Sequence, residues 1–380
     1  MLHRVLGAFG TLALLVGCTT PFHPPVFVYG APDFPGLVEV VERSGSRPVD
    51  VVLVHGMCTH DAKWAKEAVD LLVEAVDSSL KPSVGERPLL PTEPDSVQVV
   101  KRTEQIVGGT IRFTALVWSP LTARLKQQLA YDSTGTPTDC SASGECKPRR
   151  ARLNGQLKDG LLNDCLADAL IYQGQSHATI KQKMVDAISQ VIEESQVQAR
   201  NAGTSPGPLV LVSESLGSKL AFDALSDMLG PQASGRARAA GLRARERLAV
   251  VFMGANQIPI LSLAEQNIAH RAPGFLPEDA PPTDSLQRFL RTMRTPPLAG
   301  REFSKMTLVA FTDPNDLLSY RLQASRYAGP SVEIADVLVS NASTYFGFLE
   351  RPDTAHKGYR SNTDVATNIA CGRPKSPRCK

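Results

Sequence analysis

A chain of 380 residues is longer than an average domain and suits a single α/β domain carrying loop insertions. Hydrophobic residues at 42% and charged residues at 21% exclude wholesale disorder and a multi-span membrane protein. Lys and Arg number 41 against 38 Asp and Glu, a net charge of +3 without a long basic run, so neither nucleic acid nor an acidic surface is implied as a partner.

The first residues are the exception to this evenness. Met1 to Arg4 is positively charged, and Val5 to Val16 is apolar, broken only by Gly, Ala and Thr. That run falls short of the ~20 residues a spanning helix needs, so residues 1–17 read as a cleaved secretory signal. Leu15-Val16-Gly17-Cys18 closes it and resembles the lipobox of bacterial lipoproteins. The resemblance implies that Cys18 becomes the mature N-terminus and carries a diacylglycerol anchor. Thr19, rather than Asp, follows the cysteine, which by the same resemblance implies the outer membrane, facing the periplasm. Acyl chains suffice for this, since each buried methylene contributes ~0.8 kcal/mol.

Residues 18–48 are rich in Pro and Gly and read as a tether. The domain proper is expected over 49–370. Val49 to Val54 is a short β-branched run of the kind buried on both faces of a parallel sheet. Similar runs follow at Thr110 to Trp118, Pro208 to Val212, Leu248 to Met253, Met306 to Phe311 and Val332 to Val339. Between most of them the spacing predicts helices, over Ala62 to Leu80, Leu161 to Tyr172, His177 to Ala199, Leu216 to Leu229, Leu286 to Met293 and Asp316 to Arg326. The fold class is therefore α/β, with a mostly parallel central sheet flanked by helices. About 119–160 and 255–304 break the alternation and read as insertions, and 371–380 as a C-terminal tail. The arginine-rich stretch from Arg236 to Arg247 reads as a solvated helix face.

Export would place Cys58, Cys140, Cys146, Cys165, Cys371 and Cys379 in an oxidising compartment. Sequence does not fix the pairing, although loop size suggests Cys140 with Cys146 and Cys371 with Cys379, leaving Cys58 with Cys165. No CxxC pair occurs, which argues against a zinc ribbon or a thioredoxin-like site.

The chemistry-bearing motif is Ser213-Glu214-Ser215-Leu216-Gly217, placed between an apolar strand and a helix. It resembles the nucleophile elbow of the α/β-hydrolase fold, in which a strained turn lifts a serine hydroxyl above the sheet. Ser213 stands where the family has glycine, which bears on how tightly the turn closes. His55-Gly56-Met57, directly after the first long strand, resembles the family's oxyanion-hole loop, with the N–H groups of Met57 and Leu216 as donors. His55 precedes the nucleophile in the chain and reads as a brace for that loop. With His60 and Asp61 it lacks the further ligands a metal site needs.

A serine hydroxyl needs a base, and the base needs a carboxylate to orient it. The family's chain order is serine, acid, histidine. Asp313 and Asp316 both follow the Met306 strand, Asp316 matching better because an apolar pair comes after it. His356 is the one histidine beyond them. The other histidines, His60, His177 and His270 among them, read as surface groups. The resemblance implies a serine hydrolase in which Ser215, Asp316 and His356 cleave a small-molecule or lipid carboxylic ester or thioester, without cofactor or metal. An acyltransferase with the same triad, or a non-catalytic envelope lipoprotein acting as a binding module, are the alternatives.

Overall fold

The computed structural model describes residues 18–77, 95–135, 137–138, 149–267, 282–293 and 303–379. The signal peptide expected at 1–17, and Cys140, Cys146 and His270, lie outside the described residues.

In chain order, β1 (Val26–Phe27) leads to α1 (Leu37–Ser44), β2 (Val49–Val54) and α2 (Ala62–Val76). β3 (Gln98–Ile106) and β4 (Gly109–Val117) form a hairpin, followed by α3 (Pro120–Gln127). A helical run begins at Arg152, passes through a π-helical stretch at Leu157–Leu166 and ends as α4 (Ala167–Gln173). Next come α5 (His177–Asn201), β5 (Leu209–Glu214), α6 (Leu216–Met228), α7 (Gly235–Arg247), β6 (Leu248–Gly254) and α8 (Ser285–Thr292). β7 (Met306–Thr312), β8 (Val332–Leu338), α9 (Pro352–Lys357) and α10 (Thr363–Cys371) complete the order.

These strands make one eight-stranded sheet in the order β1-β8-β7-β6-β5-β2-β4-β3. β8 through β4 are parallel, and only the edge strands β1 and β3 run antiparallel. Every residue of β2, β6 and β7 is buried, as continuous apolar runs in a sheet covered on both faces require. Leu209 and Leu211 of β5 face the helices α5, α6, α7 and α8, while Val210 faces α1, α2 and α10. The parallel strands end at one edge of the sheet, where ligand sites of open α/β sheets form.

Several expectations are corrected. Residues 18–48 are not a free tether. β1 pairs with β8, and α1 buries Leu37, Val38, Val40 and Val41 against the sheet, because its apolar face outweighs the Pro-rich stretch before it. The tail expected at 371–380 is, over the described residues 371–379, likewise tied down: Cys371 pairs with Cys379, and Phe34 and Arg373 exchange two backbone hydrogen bonds of 2.8 and 2.9 Å. The helix expected over Asp316 to Arg326 is reduced to Ala324–Tyr327, since Arg321 pairs with Asp336 and Tyr320 N–H donates to Asn256, drawing the chain out of register. β3 carries Lys101, Arg102 and Glu104, a charged edge strand whose composition hides its pairing. The arginine-rich stretch is, as expected, a helix with a solvated face: α7 buries Ala237, Ala240, Gly241 and Ala244 and leaves Arg236, Arg238 and Arg243 exposed, while Arg247 at its end turns in to Asp50 and Gly207 O.

Candidate active site

Ser215 sits between β5 and α6 with φ 53° and ψ −127°. A non-glycine residue there stores strain on the order of 1–3 kcal/mol, which the surroundings must hold. They do so by close backbone approach. Ser215 N–H donates to Gly254 O at 2.8 Å. A Cβ on Gly217 would lie 2.3 Å from His55 O, and one on Gly56 would lie 2.6 Å from Ser215 Cβ, so both positions demand glycine. Ser213 is accommodated instead by polar contacts: its Oγ lies 3.0 Å from Ser218 Oγ and donates to Phe252 O at 3.5 Å. The turn closes with serine at position 213.

Ser215 Oγ lies 3.1 Å from His356 Nε2. On the other side of that ring, Nδ1 lies 2.9 and 3.0 Å from the two carboxylate oxygens of Asp316. Asp316 also accepts from Leu318 N–H at 2.9 Å and from Tyr359 O–H at 3.2 Å, which fixes its carboxylate plane. With Nδ1–H directed at Asp316, Nε2 keeps its lone pair for the serine proton. All three residues are buried. Asp313 is elsewhere: it accepts from the N–H groups of Asn315 and Asn341 at 2.9 and 2.6 Å and braces the turn. Its neighbour Glu350 is pushed up to about 7, by burial first and then by the Asp313 charge. The structure therefore brings Asp316, not Asp313, to His356.

Leu216 is the first residue of α6, so its N–H has no intrahelical acceptor, and no backbone bond among the described residues uses the Met57 N–H. Both flank Ser215. The loop carrying Met57 is held from two sides. His55 accepts from Trp118 N–H at 2.9 Å through Nε2, donates through Nδ1 to Gly56 O at 2.7 Å, and stacks on Trp118 with 9° between planes. Burial, then the neighbouring His60, keeps its pKa well below the usual range, so it is a neutral brace. From the other side, Cys58 is disulfide-bonded to Cys165, and Cys58 N–H donates to Asp168 at 2.8 Å. Thr59 Oγ1–H donates to Asp164, and Lys126 Nζ spans Asp164 and Asp168 at 2.9 and 3.1 Å. Cys58, Asp164 and Cys165 cluster closely enough to suggest a metal, but the disulfide consumes both sulfurs.

Apart from the Cys58–Cys165 pairing, this fastening of the 55–59 loop by the 152–173 run is not legible in the sequence, because its contacts span more than a hundred residues. Nor does the sequence announce Lys219, fully buried one turn beyond Ser215 and held by both oxygens of Asp223 at 2.8 Å and by Glu265. The Lys219/Asp223 spacing of a helical ion pair was the available signal.

Ser215 and His356 open onto a cavity of about 260 Å³ lined also by Met57, His60, Asp164, Glu214, Lys357 and Arg360. Glu214 and Arg360 also line a smaller, apolar cavity of about 70 Å³ beneath the sheet edge, against Trp64 and Leu72. Burial raises the Glu214 carboxyl, and Arg360 opposes that rise.

His60 is not the surface group expected from sequence. It lies within the pocket wall, its ring 4.7 Å from His55, and burial followed by the Arg360 charge lowers its pKa to about 4. Below its ordinary pKa of about 6.5 the unfolded chain binds a proton the folded chain refuses, so stability is lost as pH falls. His60→Gln is expected to flatten the pH dependence of unfolding free energy by up to ~1.4 kcal/mol per pH unit between roughly pH 6.5 and 4. Urea titrations of both proteins across that range check it. Parallel curves would remove His60 as a half-buried neutral group.

Compared with known proteins, the chain matches no family model, no curated protein and no solved structure.

Proposed function

We propose that this protein is an α/β-hydrolase-fold serine hydrolase that cleaves a carboxylic ester or thioester through an acyl-enzyme on Ser215. The observation that carries the reading is the continuous hydrogen-bonded series Asp316–His356–Ser215, with the serine held at positive φ. Supporting it is the strand register. The acid follows β7, two strands after β5 in chain order, and the base follows β8, as in that family.

In this mechanism His356 Nε2 takes the Ser215 proton as Oγ attacks the carbonyl carbon. The oxygen gains negative charge and is met by the N–H groups of Met57 and Leu216, each contributing ~3 kcal/mol to the transition state. His356 then protonates the departing alcohol or thiol. Water enters, gives its proton to His356 and attacks the acyl carbon; as that intermediate collapses the bond to Ser215 Oγ breaks, Oγ takes the proton back from His356, and the carboxylic acid leaves. Asp316 keeps the imidazole in the required tautomer and stabilises it when charged.

The test is pre-steady-state turnover of 4-nitrophenyl acetate. A burst of nitrophenol equal to the enzyme concentration, followed by slower acetate release, is expected. Adding an alcohol separates hydrolysis from acyl transfer: acetate remains the main product of a hydrolase, whereas a new ester would make the protein an acyltransferase. Absence of any turnover on oxygen and thioester panels would leave the binding-module alternative standing.

A further inference from the structure

The segment Thr344-Tyr345-Phe346-Gly347-Phe348-Leu349 places large apolar side chains in solvent. Tyr345, Phe346, Phe348 and Leu349 are 53%, 58%, 93% and 58% exposed. Single exposed apolar residues are ordinary, but four on one tight turn form a patch that calls for a partner. The turn is braced rather than slack: Tyr345 N–H donates to Leu349 O at 2.7 Å and Phe348 N–H to Tyr345 O at 2.9 Å.

Its position supplies the partner's chemistry. Thr344–Tyr345 pairs antiparallel with Cys18–Thr19, with Cys18 opposite Tyr345, and Thr19 Oγ1 lies 2.8 Å from Thr344 Oγ1. Cys18 is exposed and unpaired. β8 leaves the sheet at the catalytic edge, and β1, antiparallel to it, places the chain back toward Cys18 beyond that same edge. The turn thus stands between Cys18 and α9, which carries His356. Asn315 Nδ2–H donates to Glu350 at 2.9 Å and ties the turn's base to the loop of Asp316, where Leu317 is 70% exposed. Lys357 lines the mouth of the catalytic pocket with its side chain exposed.

We infer that the Tyr345–Leu349 turn is a lipid-contacting tip, entering the interfacial layer of a bilayer beside Cys18 and holding the catalytic pocket against the membrane surface. Phe, Tyr and Leu are the side chains that settle at that depth, where aromatic rings meet headgroups and acyl chains. A lipid on Cys18 alone would tether the protein without orienting it, whereas the anchor and the turn together make a two-point contact. The orientation bears on substrate. It presents the Ser215 pocket to esters residing in or leaving the membrane, and this consequence rests on the reading of Ser215 as a nucleophile and of Cys18 as the anchor.

The experiment uses the mature chain, from residue 18, carrying Cys18→Ser, so that neither the apolar 5–16 stretch nor an acyl group contributes, with vesicles of phosphatidylethanolamine and phosphatidylglycerol. The native Trp64 and Trp118 are 5% and 0% exposed, so Phe348→Trp adds the one indole that lipid can reach. Bromination of the lipid acyl chains is expected to quench the fluorescence of Phe348→Trp and not that of its parent. Vesicle partitioning is expected to fall at least tenfold when Phe346→Ser and Phe348→Ser are combined, with the thermal unfolding midpoint recorded to show that the variant is folded. Should the double variant fail to fold, the quenching result decides by itself. Unquenched Phe348→Trp, or equal partitioning of parent and double variant, would overturn the assignment. So would a concentration-dependent dimer that the double substitution dissolves, because the patch would then be a contact between two copies. The mass of the mature wild-type protein reports acylation of Cys18 separately, and fluorophosphonate labelling reports Ser215 separately, so neither failure is confused with failure of the tip.

Discussion

Ser215→Ala is expected to lower kcat/KM for an activated ester by ~10⁴-fold or more, because the remaining oxyanion donors and binding groups retain only a residue of catalysis. The loss should fall on kcat, since the hydroxyl removed is the group that forms the new bond. The substitution removes one oxygen from a buried position whose backbone is set by Gly56, Gly217 and the bond to Gly254 O, so the fold is expected to survive. The check is steady-state kinetics of the variant purified from the same preparation as the wild type, with far-ultraviolet circular dichroism for folding. A folded Ser215→Ala within tenfold of wild type would remove Ser215 from the reaction.

The second large effect separates two aspartates that sequence leaves open. Asp316→Asn is expected to reduce kcat by ~10³–10⁴-fold, because an amide that donates to Nδ1 turns the imidazole into the wrong tautomer for the serine proton. Asp313→Asn should leave kcat within about tenfold and show itself in stability. Its carboxylate accepts two backbone N–H groups, and weakening charge-assisted bonds of this kind costs ~1–3 kcal/mol. Chemical denaturation and kinetics on the same two variants give the comparison. If Asp313→Asn lost activity and Asp316→Asn did not, the acid would be misassigned.

The parts of the fold that could be read in the sequence are those built from local signals. Val49–Val54, Leu248–Gly254 and Met306–Thr312 announce themselves as β-branched runs because a strand covered on both faces has no need of alternation. The turn at Ser215 is legible because an apolar strand, the run Ser213-Glu214-Ser215-Leu216-Gly217 and a helix succeed one another within a short window. Chain order then leaves one candidate base, His356, but two candidate acids, Asp313 and Asp316. Only the position of the ring of His356, between Ser215 and Asp316, distinguishes Asp316 from Asp313, and that is a tertiary fact.

What the sequence hides has a common physical origin. β3 is a charged edge strand short of the apolar excess expected of a buried element, and the apolar face of α1 is hidden by the proline-rich approach before it. Asp164 and Asp168 lie more than a hundred residues from the Cys58–Thr59 loop they hold, so no window of sequence joins them. His60 reads as a polar loop residue until the rings of His55 and Trp64 are seen packed against it. The pairing of Cys58 with Cys165, suggested only by elimination, is present in the structure and ties the same loop to the same helical run.

The central claim is that one serine, activated by His356 and Asp316, carries the acyl group. It is tested most directly by treating the protein with a fluorophosphonate, digesting it and locating the adduct by mass spectrometry. The predicted result is a single phosphonylated peptide modified at Ser215, absent from Ser215→Ala and strongly slowed in His356→Ala. A wild-type protein that stays unlabelled, or labelling that persists in Ser215→Ala, would contradict it.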